Sequence, residues 1–266
     1  MHVTTAGQEL ISLSGSAYQV LWEHLGLPEM PTVLYVKPRG FEEDERRRVI
    51  NDAWDELRAA ELVDADGLRP DLANIMLLLA KAERSIDARL YVGGRTVRAL
   101  IAAAGDHAVH AVLENDRLNF HGAYPGSLAR TAISMLPVRK AGAGRSVTLP
   151  SDLISDAAEH VGTSLEKFEA ALMNKGANRG DAKQLCEMIK SVGDRGQFGA
   201  TVRDHLGRKF RADHVLAFHD GEDGRYLMEE TSSPDGRLWT TMTPADNRRL
   251  TGQLERLLGS LEYHLT

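Results

Sequence analysis

The residues able to do chemistry are few, and their spacing works against them. Ten histidines are the first candidates for a metal ligand or a general base. His107 and His110 would share a face on a helix. The alternation around them predicts a strand instead, where positions i and i+3 point to opposite faces, so no metal is expected there. His219-Asp220 falls at a predicted strand end. Neighbouring strand residues point apart, so Asp220 is not placed to orient the imidazole as a triad requires. A hydrolase using His219 is therefore the weakest functional reading of the chain. The one cysteine, Cys186, lies in a predicted helix beside Leu185, Met188 and Ile189. No histidine or cation stands by to create a thiolate, and it reads as a small core residue. A lone cysteine also excludes a disulfide framework and paired-cysteine zinc sites.

Nucleophile and phosphate motifs are equally thin. Ser14-Gly15-Ser16 lacks the G-x-S-x-G frame of a nucleophile elbow. Gly142-Ala143-Gly144 has no third glycine and no Walker lysine, so nothing cradles a phosphate. Glu229-Glu230 and Asp64/Asp66 are carboxylates of the kind that solvated strands and turns ordinarily carry. The sequence predicts no catalytic residue, no metal and no cofactor.

Charge narrows the partners. The chain of 266 residues is 26% charged with a formal net charge of −6, whereas nucleic-acid binders usually show a basic excess or stripe. Arg203, Arg208, Lys209 and Arg211 cluster, but Asp204, His205 and Asp213 interleave with them. Aromatics at 6% are too sparse for base-stacking platforms. The run from Glu42 to Arg48 pairs its acids and arginines at helical spacing and reads as a solvated helix start. Residues 1–30 show no basic start, apolar stretch or small-residue cleavage site of a signal peptide. The longest apolar run, Ile75–Ala80, is far short of the roughly 20 residues that span a bilayer. The expectation is a cytoplasmic chain without nucleic acid or membrane insertion.

Two kinds of pattern must position whatever the chain binds. Gln8–Leu13 reads as a strand, Gly15–Leu25 as a helix capped by Ser14, and Thr32–Val36 as a short strand. Phe41–Val63 and Pro70 to about Arg84 carry apolar stripes of helical period. The period then becomes two over Ile86–Val92, Thr96–Ala103, His107–Leu113 and Leu118–His121, with Gly93-Gly94, Gly105-Asp106 and Asn115-Asp116 as turns; this is an antiparallel meander. Pro125 opens an exit helix, and 138–150, with Ala141-Gly142-Ala143-Gly144, reads as a linker. Helices follow at Ser151–Val161, Ser164–Asn174 and Asp181–Val192. A second meander runs through Gly196–His205, an irregular stretch after Gly207, Val215–Asp220, Arg225–Glu230 and Leu238–Met242, and Pro244 opens the last helix, Ala245–Glu262.

The two halves, about 1–137 and 151–266, share this layout. The favoured architecture is an α/β (α+β) single domain, 1–266, of quasi-two-fold form. Its central antiparallel sheet is built from both meanders and flanked by helices; two separate α+β subdomains are the other option. At this size, roughly 70–75% of the unfolded surface can be buried without disulfides or a structural metal. Alternating strands with one polar face suit a binding surface more than an active site.

At the second meander the residues become familiar. Arg195-Gly196-Gln197-Phe198-Gly199, Val202-Arg203-Asp204, His219-Asp220 followed by Gly224-Arg225-Tyr226-Leu227, and Pro244-Ala245-Asp246 resemble the actinobacterial EspG family. So do Val20-Leu21-Trp22 through Leu25-Gly26-Leu27-Pro28, and Leu100 through Asp106. The resemblance runs in order along nearly the whole chain, and its motifs are mostly turn chemistry.

The resemblance implies a non-enzymatic cytosolic factor of type VII (ESX) secretion. In mycobacteria such factors bind the helical tip of PPE proteins in PE–PPE pairs. The implied partner is a secreted helical client of PE/PPE or WXG100 kind, kept soluble and directed to the machinery. Family members grip with the sheet face, a loop between early strands and the C-terminal helical part. On this chain those correspond to Gly93, Gly94 and Arg95 in a very short loop, with Phe198, Thr201, Arg203, Tyr226 and Trp239 on the sheet. The rival reading is an EspG-fold regulatory or scaffolding protein without a PPE client. The chain acts as a monomer or, through an edge strand, as a homodimer.

Overall fold

A computed structural model of the protein describes residues 11–65, 67–159 and 161–265. Its first half runs β1 (Ile11–Ser14), α1 (Gly15–His24), α2 (Glu43–Ala59), the short hairpin β2 (Val63–Asp64) and β3 (Gly67–Leu68), then α3 (Pro70–Lys81). A meander follows, β4 (Arg84–Val92), β5 (Arg95–Ala104), β6 (His107–Glu114) and β7 (Arg117–Gly122), and α4 (Leu128–Ser134) leaves it. The second half runs β8 (Val147–Pro150), α5 (Ser151–Ala158), α6 (Leu165–Asn174), α7 (Arg179–Ile189), β9 (Arg195–Arg203) and β10 (Lys209–Arg211). It ends with β11 (Leu216–Gly221), β12 (Gly224–Ser232), β13 (Leu238–Pro244) and α8 (Asn247–Gly259).

Local chemistry sets the boundaries. Ser14 accepts the Ala17 N–H at 3.0 Å, and Asp246 accepts the Arg249 N–H at 2.7 Å. Each thereby satisfies one of the orphan donors at a helix start. Gly93 and Gly94 (φ 59° and 76°) and Asn115 and Asp116 (φ 48° and 62°) close two-residue hairpins. Positive φ at both central positions is what such turns demand, because it matches the twist of the flanking strands.

One eleven-stranded sheet carries the fold, ordered β1-β7-β6-β5-β4-β9-β11-β12-β13-β8, with β10 paired to β9. The order reads the same outward from the β4–β9 junction in both directions. Each half places the first strand of its meander at the centre and sends the short strand that precedes its helices to the outer edge. β4 and β9 pair antiparallel from Arg84↔Val202 to Tyr91↔Arg195, as a two-fold through the junction requires.

Three cores follow from the alternation. Ile86, Ala88, Ile101, Phe198, Ala200 and Leu227 face one side, under Leu128 and Ile133 of α4 and Leu250, Leu254 and Leu257 of α8. On the other side α1, α2 and α3 cover Leu100, Ala102, Val109 and Ala111 of the first half. There α5, α6 and α7 cover Tyr226, Met242 and Val147 of the second half. Each fully buried leucine contributes about 1.5–3 kcal/mol, so the paired exit helices and the two helix groups dominate the packing.

Several sequence expectations shift. Residues 8–10 of the first predicted strand, Asp66 of the predicted turn and His160 of a predicted helix lie outside the described residues. Thr32–Leu34 is a 3-10 turn and not a strand; no neighbouring strand has a free edge there, and Val33 and Leu34 are simply buried. The second helix stops at Ala59, because Glu61 takes φ 55° and the chain turns into the β2–β3 hairpin. The stretch after Gly207 is ordered as β10, with Phe210 opposite Val202. The 138–150 stretch is docked to the fold and not a free linker. Val147–Pro150 pairs with β13, Ala141 bridges to Arg225, and the Gly142 N–H donates to the Arg225 carbonyl at 2.9 Å.

Candidate functional site

The helices on the second face leave the middle of the sheet uncovered. The register sets Arg98, Arg89, Gln197, Ala217 and Met228 in one row across β5, β4, β9, β11 and β12. Beside it run Thr96, Tyr91, Arg195 and His219. Arg89, Tyr91, Arg195 and Gln197 are all exposed. This floor forms a trough between the α1–α3 side, where Val33, Leu79 and Ala80 form the wall, and Val192 beyond α7. Hollows of about 370 Å³ and 580 Å³ lie along it, meeting at Arg89 and Gln197.

Both ends carry basic residues, but only one sets carboxylates among them. At one end Asp87 and Arg211 pair at 2.5 and 3.1 Å across Gly199, where any Cβ would meet the Arg211 Nη2 at 2.2 Å. Arg203 there donates to the carbonyls of Gly207 and Ala80, both at 3.0 Å. At the other end Arg89 faces Arg98 directly. Burial, and then the Arg89 charge, hold the Arg98 guanidinium below its ordinary pKa. Arg98 donates to the Tyr35 carbonyl at 3.1 Å, and Arg195 lies 4.6 Å over the Tyr91 ring.

A sheet face of this kind offers an uncovered surface for binding. Residues 14–256 match the model of the EspG family. The chain belongs to the EspG family. The solved structure of the Mycobacterium tuberculosis type VII secretion system chaperone EspG5 in complex with the PE25–PPE41 dimer has the same fold. It is 16% identical, with a TM-score of 0.72 over 97% of each chain. No curated protein sequence matches significantly.

On this EspG fold the predicted site residues separate. Thr201 and Arg203 line the trough. Gly93 and Gly94 make the β4–β5 turn, where the Gly93 N–H donates to Asp194 at 2.9 Å. Arg95 follows them and pairs with Glu114 at 3.0 Å. Phe198 is fully buried; it faces α4 and α8 with its ring stacked on Phe218, so its side chain is not available as a surface. Tyr226 faces the trough side but is buried, because the docked 138–150 stretch lies over it and its hydroxyl donates to the Ala143 carbonyl at 3.2 Å. Trp239 sits near the outer edge on β13, opposite Pro150, with its indole N–H donating to the Ser233 hydroxyl at 3.2 Å.

Reasoning from sequence missed the floor itself. The period of two over Ile86–Val92 puts Asp87, Arg89 and Tyr91 on one face of a strand, but only the pairing of β4 with β9 brings that face to the centre of the sheet.

The residues with catalytic potential are engaged elsewhere in the EspG fold. The His219 Nε2–H donates to the Met188 carbonyl at 2.8 Å, and the ring stacks on Tyr226. Asp220 points away and receives Arg225 in a bidentate pair, Nε to Oδ1 at 2.6 Å and Nη2 to Oδ2 at 2.8 Å. Arg225 is wholly buried and donates further to Asn247 at 2.9 Å and to the Pro137 carbonyl at 3.1 Å. The family-like His219-Asp220 and Gly224-Arg225 motif is thus a hub tying β11 and β12 to α8 and to the stretch between the halves. Burial, and then the charges of Glu169 and Glu187, push the Cys186 thiol up to about 11. His107 is exposed while His110 is half-buried, its Nε2 lying 3.2 Å from the Met135 sulfur. Among the described residues no cluster of metal-ligating side chains forms, and no helix is long and apolar enough to cross a membrane.

Proposed function

We propose that this EspG-family chain is a type VII secretion chaperone. In this reading its trough captures the helical tip of a secreted client of PE/PPE or WXG100 kind, keeps the tip from aggregating and delivers the client to its secretion machinery. The observation that carries this is the uncovered sheet centre, in a fold whose relative EspG5 was solved with a PE25–PPE41 dimer. From β5 to β12 the floor spans four inter-strand steps, roughly 19 Å at about 4.8 Å each. Two packed helices stand about 8–10 Å apart and each is about 10–12 Å wide, so the trough takes the tip of a helix pair.

The work is done by burial. Tyr91 and Val192, 41% and 49% exposed, lose water against the client's apolar tip while the polar rim sets register. No covalent step, metal or nucleotide is needed, and the soluble complex persists while client concentration exceeds Kd. His219 and Cys186, both held in structural roles, support a non-enzymatic reading. The chain acts in the cytoplasm as one EspG-like unit, with Thr201 and Arg203 on the trough floor and Gly93–Arg95 at its end.

The test is affinity capture of the tagged chain from a native host lysate, followed by sizing of the complex. A helical secreted pair recovered with the wild type, and lost with Tyr91→Asp, is the expected result. A chain that elutes only as itself or as its own dimer would overturn this function in favour of the scaffolding reading.

A further inference from the structure

The basic end of the trough departs from the rest of the molecule. The chain carries 38 acidic against 32 basic residues. Yet the 580 Å³ hollow is lined by Arg89, Arg98 and Arg195 and by no carboxylate. Among the described residues none of the three pairs with an acid, and the Arg89 guanidinium makes no hydrogen bond, its backbone alone being tied into the ladders with β5 and β9. Like charges directly opposite on neighbouring strands destabilise a sheet, so this row costs the free protein stability. Two of the three are also held in place in the free protein. The Tyr35 carbonyl holds Arg98, and Arg195 is held over the Tyr91 ring with its Nη1 donating to the Gly193 carbonyl at 3.3 Å; both guanidiniums keep further donors for a planar carboxylate. The apolar neighbours Tyr91, Val192 and Ala217 suit a folded protein tip and not a stacked nucleic-acid strand, which needs a succession of aromatics.

We propose that Arg89, Arg98 and Arg195 are the specificity determinants of the trough, selecting a helical client whose apolar tip is flanked by Asp or Glu side chains. This rests on the chaperone reading, to which it adds the charge the client must carry. A tip flanked by lysines is rejected, because it would leave cations facing cations in a partly desolvated cleft.

Two synthetic cross-linked helical hairpins with the same Leu/Phe tip, one flanked by glutamates and one by lysines, test this by fluorescence anisotropy. The glutamate hairpin is expected to bind at least about tenfold more tightly, with an association rate that falls as salt rises. R89E, at an exposed unpaired position, is expected to erode the preference, and R89E/R98E/R195E to reverse it. Equal affinities, a preference unchanged in the variants, or displacement by a single-stranded oligonucleotide would overturn the proposal. The same variants are applied to any client captured from the host lysate. A client held equally by the wild type and the triple variant overturns the charge selection and leaves the chaperone function standing. Failure to bind either hairpin, together with failure to capture a client, overturns both.

Discussion

Arg225 shows how much one side chain can organise. It is wholly buried, and its bonds to Asp220, Asn247 and the Pro137 carbonyl join elements far apart in sequence. Removing one partner leaves the other buried charge without its bidentate mate, Asp220 keeping only Arg139 at 3.8 Å, so Arg225→Met and Asp220→Asn should each cost about 3–5 kcal/mol in urea denaturation. The double replacement by apolar residues should recover part of that loss. His110 supplies a pH dependence. Burial, and then the His121 charge, bring its imidazole down to about 4, from an ordinary value near 6.5 in the unfolded chain. Neutral His110 therefore favours the fold. Stability is full above about pH 6.5 and falls as pH drops towards about 4, where the folded form also takes up the proton. Denaturation midpoints measured across that window should fall less steeply in His110→Gln.

At the scale of elements, the loops are as structural as the strands. Gly142 lies against the Tyr226 ring, where a Cβ would stand 2.2 Å from Cζ. Gly142→Ala must displace a buried ring and should destabilise by about 1–3 kcal/mol. Gly252, inside α8, would bring a Cβ no nearer than 4.0 Å to an arginine tip. There alanine removes only the flexibility of glycine in a helix, so Gly252→Ala should stabilise by about 0.5–1 kcal/mol. Opposite shifts in melting temperature for these two variants would show that the stretch between the halves is packed core and not a tether.

For the molecule as a whole, the β4–β9 ladder and the α4–α8 pair bind the halves through shared hydrogen bonds and a shared core. Trp22 and Trp54 report on the first half and Trp239 on the second. Trp239→Phe should therefore show one fluorescence transition at the same urea midpoint as far-ultraviolet circular dichroism, and so should the reciprocal double variant. Two separated midpoints would mean that the halves fold independently. The symmetry also explains why the centre of the sheet is uncovered on that face: each half covers its own outer strands, and neither has a helix to spare for the junction.

The sequence by itself determined what is local. Alternation between Ile86 and Leu113 placed the meander, Gly93-Gly94 and Asn115-Asp116 closed its hairpins, and the leucines from Leu250 to Leu257 marked the buried stripe of α8. The ordered family-like motifs reported the fold, because turns depend on neighbours a few residues away. Only the tertiary structure decided which polar faces meet. Arg89 and Gln197 are 108 positions apart in the numbering yet adjacent in the sheet. Nothing in the period of either strand says which of its edges pairs with which. The same reason explains Phe198 and Tyr226. Alternation says that a side chain faces one side of a sheet, while what covers that side is settled only when distant helices and the 138–150 stretch pack against it.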